Sequence, residues 1–150
     1  DEKWYINTNQ SFAFANDTVT ASYGSATAKA HADTTWSQDD EDAGDLPSDK
    51  SVGDIKTRGL KYNLIQTVKQ QAAGILANTD WYITRNAEKS TAIPSAITTH
   101  RDLVRSRQAT METQITNAND TPALETLYTY TTDSDGVQSR TLAELPTLEI

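Results

Sequence analysis

Residues 54–77, DIKTRGLKYNLIQTVKQQAAGILA, decide how this chain is read. Ile55, Leu60, Leu64, Val68, Ala72, Ile75 and Leu76 recur largely at three- and four-residue steps and form one apolar stripe, while Lys56, Lys61, Lys69 and Gln70 fill other positions. The pattern predicts a long amphipathic helix, about 36 Å if unbroken at ~1.5 Å per residue, weakened locally by Gly59 and Gly74. Asn78-Thr79-Asp80 supplies capping side chains, so the helix stops there or restarts over residues 81–88 with Thr79 or Asp80 as N-cap.

Residues 90–93 read as a connector, and Pro94 suits the first turn of another helix. That helix carries Ile97, Val104 and Met111 at seven-residue steps, joined by Leu103 and Ile115. Two helices so briefly linked are expected to pack as an antiparallel hairpin. Its predicted core is Leu64, Val68, Ile75, Trp81, Val104, Met111 and Ile115, with Trp81 and Tyr82 closing it inward.

On the N-terminal side, Phe12-Ala13-Phe14 and then Val19, Ala21 and Tyr23, separated by Thr20 and Ser22, alternate with period two. This predicts half-buried antiparallel strands, with Asn16-Asp17 as a hairpin turn. Residues 31–53 are poor in large aliphatics and crowd Asp39, Asp40, Glu41, Asp42 and Asp45 together, so they are expected to be a solvated acidic linker anchored only by Trp36. The acids lack the alternate spacing and the Gly of a calcium loop, and no metal site is expected.

After residue 117, Pro122 opens a short helix with Leu124 and Leu127. A β-hairpin then follows around Asp133-Ser134-Asp135-Gly136. The tail carries Leu142, Leu145, Leu148 and Ile150 around Pro146 and needs a surface to lie on. The expected fold class is α+β: a β-rich region over 1–30, the acidic linker 31–53, a helical hairpin over 54–118, and a short helix, β-hairpin and extended tail over 119–150.

Composition narrows the chemistry. The chain has 150 residues, 36% of them hydrophobic, with mean hydropathy −0.63, which suits one domain with a thin core or two small modules. No stretch approaches the ~20 apolar residues of a membrane-spanning helix, so no membrane partner is expected. A net charge of −8 and pI ≈ 4.6 oppose nucleic-acid binding by the chain as a whole. With Cys 0, thiol and thiolate chemistry is excluded. His31 and His100 form no ligand pair, no Gly-x-Ser-x-Gly elbow is present, and the six glycines are not clustered into a phosphate loop. The expectation is a non-enzymatic protein with no catalytic residues and no cofactor. Arg85, Lys89, Arg101 and Arg105 form small basic faces, expected to pair with Asp80, Glu88 and Asp102 rather than to dock a partner.

The run Leu76-Ala77-Asn78-Thr79-Asp80-Trp81-Tyr82, followed by Arg85, Glu88, Ile93-Pro94, Arg101 and Val104-Arg105, resembles a module of small tailed-bacteriophage proteins. These include tail-fibre assembly and tail-assembly chaperone proteins and short virion proteins of marine phages. The resemblance implies a protein of the tail or its fibres, assembled in the host cytoplasm and resident in the virion, with other virion proteins and copies of itself as partners. Chaperone-type members often close with Trp-Pro, where this chain has Leu145-Pro146. That departure, with the added strand regions, favours a virion part over an assembly chaperone. A third expectation is a host-attachment or carbohydrate-binding module stacking sugars on Trp36 or Tyr23. The residues expected to bind partners are Phe12, Phe14, Tyr23, Trp36, Leu142, Leu145, Leu148 and Ile150.

Overall fold

Gly59 lies where the strand pattern gives way to the helical one. A Cβ at this position would overlap the backbone of Ala32, and the next amide, Leu60 N–H, donates to the Ala30 carbonyl at 3.0 Å. This close approach, which only glycine permits, ends one extended segment and starts the first long helix at Leu60 rather than at residue 54. Ile55, expected on the helix, belongs instead to a strand.

The computed structural model describes residues 1–148, and the fold is α+β. The chain divides into two compact units: Asp1–Leu60 with Asn119–Glu125, and Lys61–Ala118 with residues 126–148.

The first unit is built from two-stranded antiparallel ladders. Strand β1 (Tyr5–Ile6) pairs with β4 (Thr27–Ala28), β2 (Ser11–Ala15) with β3 (Thr18–Ser22), and β5 (Thr34–Thr35) with β6 (Ile55–Thr57). Trp4 is its buried anchor, 3% exposed. The start of helix α5 (Thr121–Tyr128) is tied to the same unit, Thr121 Oγ1 donating to the Lys29 carbonyl at 2.6 Å and the Tyr5 hydroxyl to Glu125 at 2.9 Å. Residues 31–53 are therefore not a linker with few contacts. The Trp36 amide donates to the Asp54 carbonyl at 2.9 Å, and Gly53 N–H donates to the Trp36 carbonyl at 2.8 Å. Between them the short helix α1 (Gln38–Asp42) opens with a capping box in which Ser37 and Asp40 satisfy each other's backbone amides. Lys56 reaches back 2.6 Å to Asp40 and lies 4.4 Å over the Trp36 ring. Asp33 accepts from the Gly59 amide at 2.8 Å and from Arg58 at 2.6 Å. Polar side chains, rather than an apolar core, order this segment.

The second unit holds α2 (Leu60–Ala77) from Lys61 onward, α3 (Asp80–Lys89) and α4 (Ser95–Asn117), followed by the end of α5, the hairpin β7 (Thr131–Thr132) and β8 (Gln138–Ser139), and the tail. Helices α2 and α4 run antiparallel, as three polar ties show: Lys61 Nζ to the Thr116 carbonyl at 2.9 Å, Lys69 to Glu112 at 3.6 Å, and Arg101 to the Leu76 carbonyl at 2.8 Å. Leu64, Val68, Ala72, Ile97, Val104, Met111 and Ile115 are buried, as the spacing predicts, and Ile75 is half-buried. Trp81 departs from that expectation and is 51% exposed.

Arg101 explains the departure. One guanidinium nitrogen bonds the Leu76 carbonyl, Thr79 Oγ1 at 2.7 Å and Asp80 at 2.9 Å, while Thr79 itself donates to Leu76. A helix end leaves carbonyls without intrahelical partners, and here a buried arginine from another helix supplies the donor. Thr79 and Asp80 are thereby committed to Arg101, and Trp81 is left on the outer side. Its ring stands 3.9 Å from Tyr82, and Arg85 lies 4.6 Å over it. Arg105 bonds Asp102 at 3.2 Å, as read from the spacing.

Two outcomes follow from these contacts. Arg101→Met should lower stability by roughly 2–4 kcal/mol, because the Leu76 carbonyl loses its charged donor, and Arg101→Lys should recover only part of it; thermal melts of the three proteins measure this. The Lys56 ammonium and the Ser37 hydrogen bonds hold Asp40 at about 2, below its ordinary 3.8. Because the folded value is the lower one, this contribution to stability is complete above the ordinary value and is lost as pH falls through about 2. A carboxyl-carbon NMR titration of Asp40 should show the depressed midpoint, and Lys56→Met should move it upward.

Candidate interaction surface

The turn that joins β2 to β3 sets the geometry of the most exposed apolar surface. Asn16 and Asp17 have φ of +50° and +57°, the left-handed pair that a two-residue type I′ turn requires and that Asn and Asp tolerate. The register that follows places Phe12 opposite Ala21 and Phe14 opposite Val19. Alternation then puts Phe12, Phe14, Val19 and Ala21 on one face, and Ser11, Ala13, Ala15, Thr18, Thr20 and Ser22 on the other.

The strands are as expected, but their half-burial is not: every residue of both is exposed, Phe12 at 67%, Phe14 at 72% and Val19 at 63%. The reason is layering. Among the described residues each ladder has only two strands, so no second layer covers this face and both outer edges lack strand partners. The base of the hairpin is nonetheless fixed. Gly24 N–H donates to the Thr8 carbonyl at 2.8 Å, Thr8 Oγ1 donates to Ser25 O at 2.7 Å, and the Ser11 and Ser22 hydroxyls bond across the strands at 3.0 Å. The hairpin carries one charge, Asp17, in a chain whose net charge is −8. Contact through the apolar face therefore meets little of the repulsion that the rest of the chain would impose on a second copy.

The other expected contact residues fall in different places. Tyr23 is exposed at the base of the hairpin, beside the same face. Trp36 is half-buried and has Lys56 over its ring, which occupies the face a stacking sugar would use. Leu142 is 1% exposed and is spent on the core of its own unit. Its amide donates to the Leu127 carbonyl at 3.0 Å. The Gln114 side-chain amide clamps the chain on either side of it, donating to Thr141 O and accepting from Ala143 N–H at 2.9 Å each. The surface that the tail needs is thus supplied from within the unit. Leu145 and Leu148 are half-buried, and Ile150 lies outside the described residues. Of the eight, Phe12, Phe14 and Tyr23 stand together as a free apolar patch.

Val19 and Trp81 are exposed apolar side chains outside the eight expected contact residues, Trp81 being expected in the core rather than as an exposed anchor. Val19 was legible, since a two-residue Asn16-Asp17 turn fixes Phe14 opposite it. Trp81 was not, because its orientation depends on Arg101. Among the described residues no group of three or more His, Asp or Glu side chains comes together to hold a metal ion, and no helix is long and apolar enough to cross a membrane. Comparison of the chain with family models, curated proteins and solved structures finds no match.

Because the phenylalanines make no core contact, Phe12→Ser with Phe14→Ser should shift the melting temperature by less than a few degrees, whereas Leu142→Ala should cost roughly 2–5 kcal/mol. Calorimetry on the two variants checks the contrast.

Proposed function

We propose that this chain is a non-enzymatic structural subunit of a tailed-phage virion, at the tail or its fibres, and that it works through protein–protein contacts made by the β2–β3 hairpin. The observation that carries the contact reading is the uncovered face of Phe12, Phe14 and Val19. An aromatic side chain offers roughly 150–250 Å², so at these exposures the patch shows roughly 300–400 Å². That is the size of the largest patches on soluble proteins, which often serve function. Covering it contributes about 1.5–3 kcal/mol for each large side chain. Two such faces together cover roughly 700 Å², short of the ~1,200 Å² of a stable interface, so the hairpin works as one part of a larger contact with virion neighbours and further copies. The placement in a phage tail rests on the resemblance carried by Thr79-Asp80-Trp81, Pro94, Arg101 and Val104-Arg105.

Mass spectrometry of purified particles of a tailed phage encoding this chain should find it at stoichiometric copy number. The Phe12→Ser, Phe14→Ser protein should fold yet be depleted from particles. Absence of the wild-type chain from particles that required it for assembly would replace this reading with that of an assembly chaperone, and normal incorporation of the double variant would remove the hairpin from the interface.

A further inference from the structure

The tail of the second unit crosses the N-terminal end of α4 without filling the space beneath it. An open-sided cavity of about 400 Å³ lies there, lined by Ser95, Ala96, Thr99, His100 and Leu103 of α4 and by residues 146–148 of the tail. A second cavity of about 240 Å³ shares His100 and residues 146–148 and continues onto Ile75, Asn78 and Leu145.

Two independent features make this space suited to an anion. Pro94 precedes α4 and provides no side-chain cap, and the first amides bonded to a carbonyl within this turn are those of Ile97 and Thr98, both to Pro94 O. The amides of Ser95 and Ala96 are therefore the orphan donors at the positive end of a 23-residue helix. His100, one turn further on, is 7% exposed, and its Nε2 is buried with no hydrogen-bond partner. A buried imidazole nitrogen without a partner is costly unless something bonds it. Ser95, Thr99 and Thr147 add hydroxyls. Among the described residues, no Asp or Glu lines either cavity. Apart from Asn78 and the small Ala96, the remaining walls, Ile75, Leu103, Leu145, Pro146 and Leu148, are apolar.

We propose that the N-terminal end of α4 and His100 form a binding site for a small carboxylate carrying an apolar chain. The carboxylate is held by the Ser95 and Ala96 amides and by His100 Nε2–H, and the chain extends past His100 between Ile75 and Leu145. Helix N-termini bind carboxylates in this way, and a concave apolar wall with a few convergent donors is the usual form of a small-molecule site.

Hexanoate, acetate and inorganic phosphate serve as probes, titrated into the full chain and followed by amide and imidazole NMR shifts. Saturable shifts at Ser95, Ala96 and His100, with hexanoate at least tenfold tighter than acetate or phosphate, are expected. His100→Phe removes Nε2 while retaining bulk. Ser95→Pro removes an amide donor at the first helical position, where proline is favoured, so it keeps the test valid should His100→Phe fail to fold. Each folded variant should bind hexanoate at least tenfold more weakly. No saturable shift, equal affinity for the three probes, or unchanged affinity in the folded variants would overturn the proposal.

Discussion

The second unit depends on one buried cation. Where α2 ends and α3 begins, only Asn78 and Thr79 separate the two helices, and the Leu76 carbonyl accepts from the Thr79 amide and hydroxyl. Arg101 adds a charged donor to it from α4 and binds Thr79 and Asp80 with the same nitrogen. Arginine suits the position because its guanidinium is weakly hydrated and presents several donors in a fixed plane. The contact does three things together: it satisfies the end of α2, fixes the start of α3, and sets the register of α4 against α2 that the ties from Lys61 and Lys69 continue. The apolar residues between these ties then meet by position.

The first unit is ordered by different means. It buries few large side chains, Trp4 and Leu124 among them. What holds it are short ladders, the Ser37–Asp40 capping box, the Lys56 bridge across Trp36 and the Asp33 contacts to Gly59 and Arg58. Most of these lie near the surface, where each contributes modestly. Such a unit can display a fully exposed hairpin, since none of its order depends on covering that hairpin's apolar face.

The helical pair was legible because periodicity is a local property that burial then rewards: Leu64, Val68, Val104 and Met111 announce themselves by spacing. So were the turns at Asn16-Asp17 and Asp133–Gly136, where residue type matches a demand for positive φ. Residues 31–53 misled because acidic composition predicts solvation, yet the ordering comes from pairings with Asp54, Lys56, Arg58 and Gly59 on the far side of the segment. Ile55 misled because its spacing fits the stripe of α2, while the approach of Gly59 to Ala32 places it in a strand. Trp81 and Leu142 have burials set by Arg101 and Gln114, partners that no periodicity connects to them. The free patch was half-read: the residue types and alternation were visible, but the missing second layer is a property of topology.

The Asn16-Asp17 turn also bears on timing. A hairpin closed by two residues needs no distant contact, and hairpins of this kind form in roughly 1–10 μs, ahead of the long-range pairings of β1 with β4 and β5 with β6. The Phe12 and Phe14 face is therefore presented from the earliest moments of folding and stays presented afterwards. For the contact proposed above, the surface is already in its final shape, so little conformational entropy is lost in forming it. The same persistence leaves the unpaired strand edges available to any other chain, which makes this hairpin the part of the protein most exposed to aggregation.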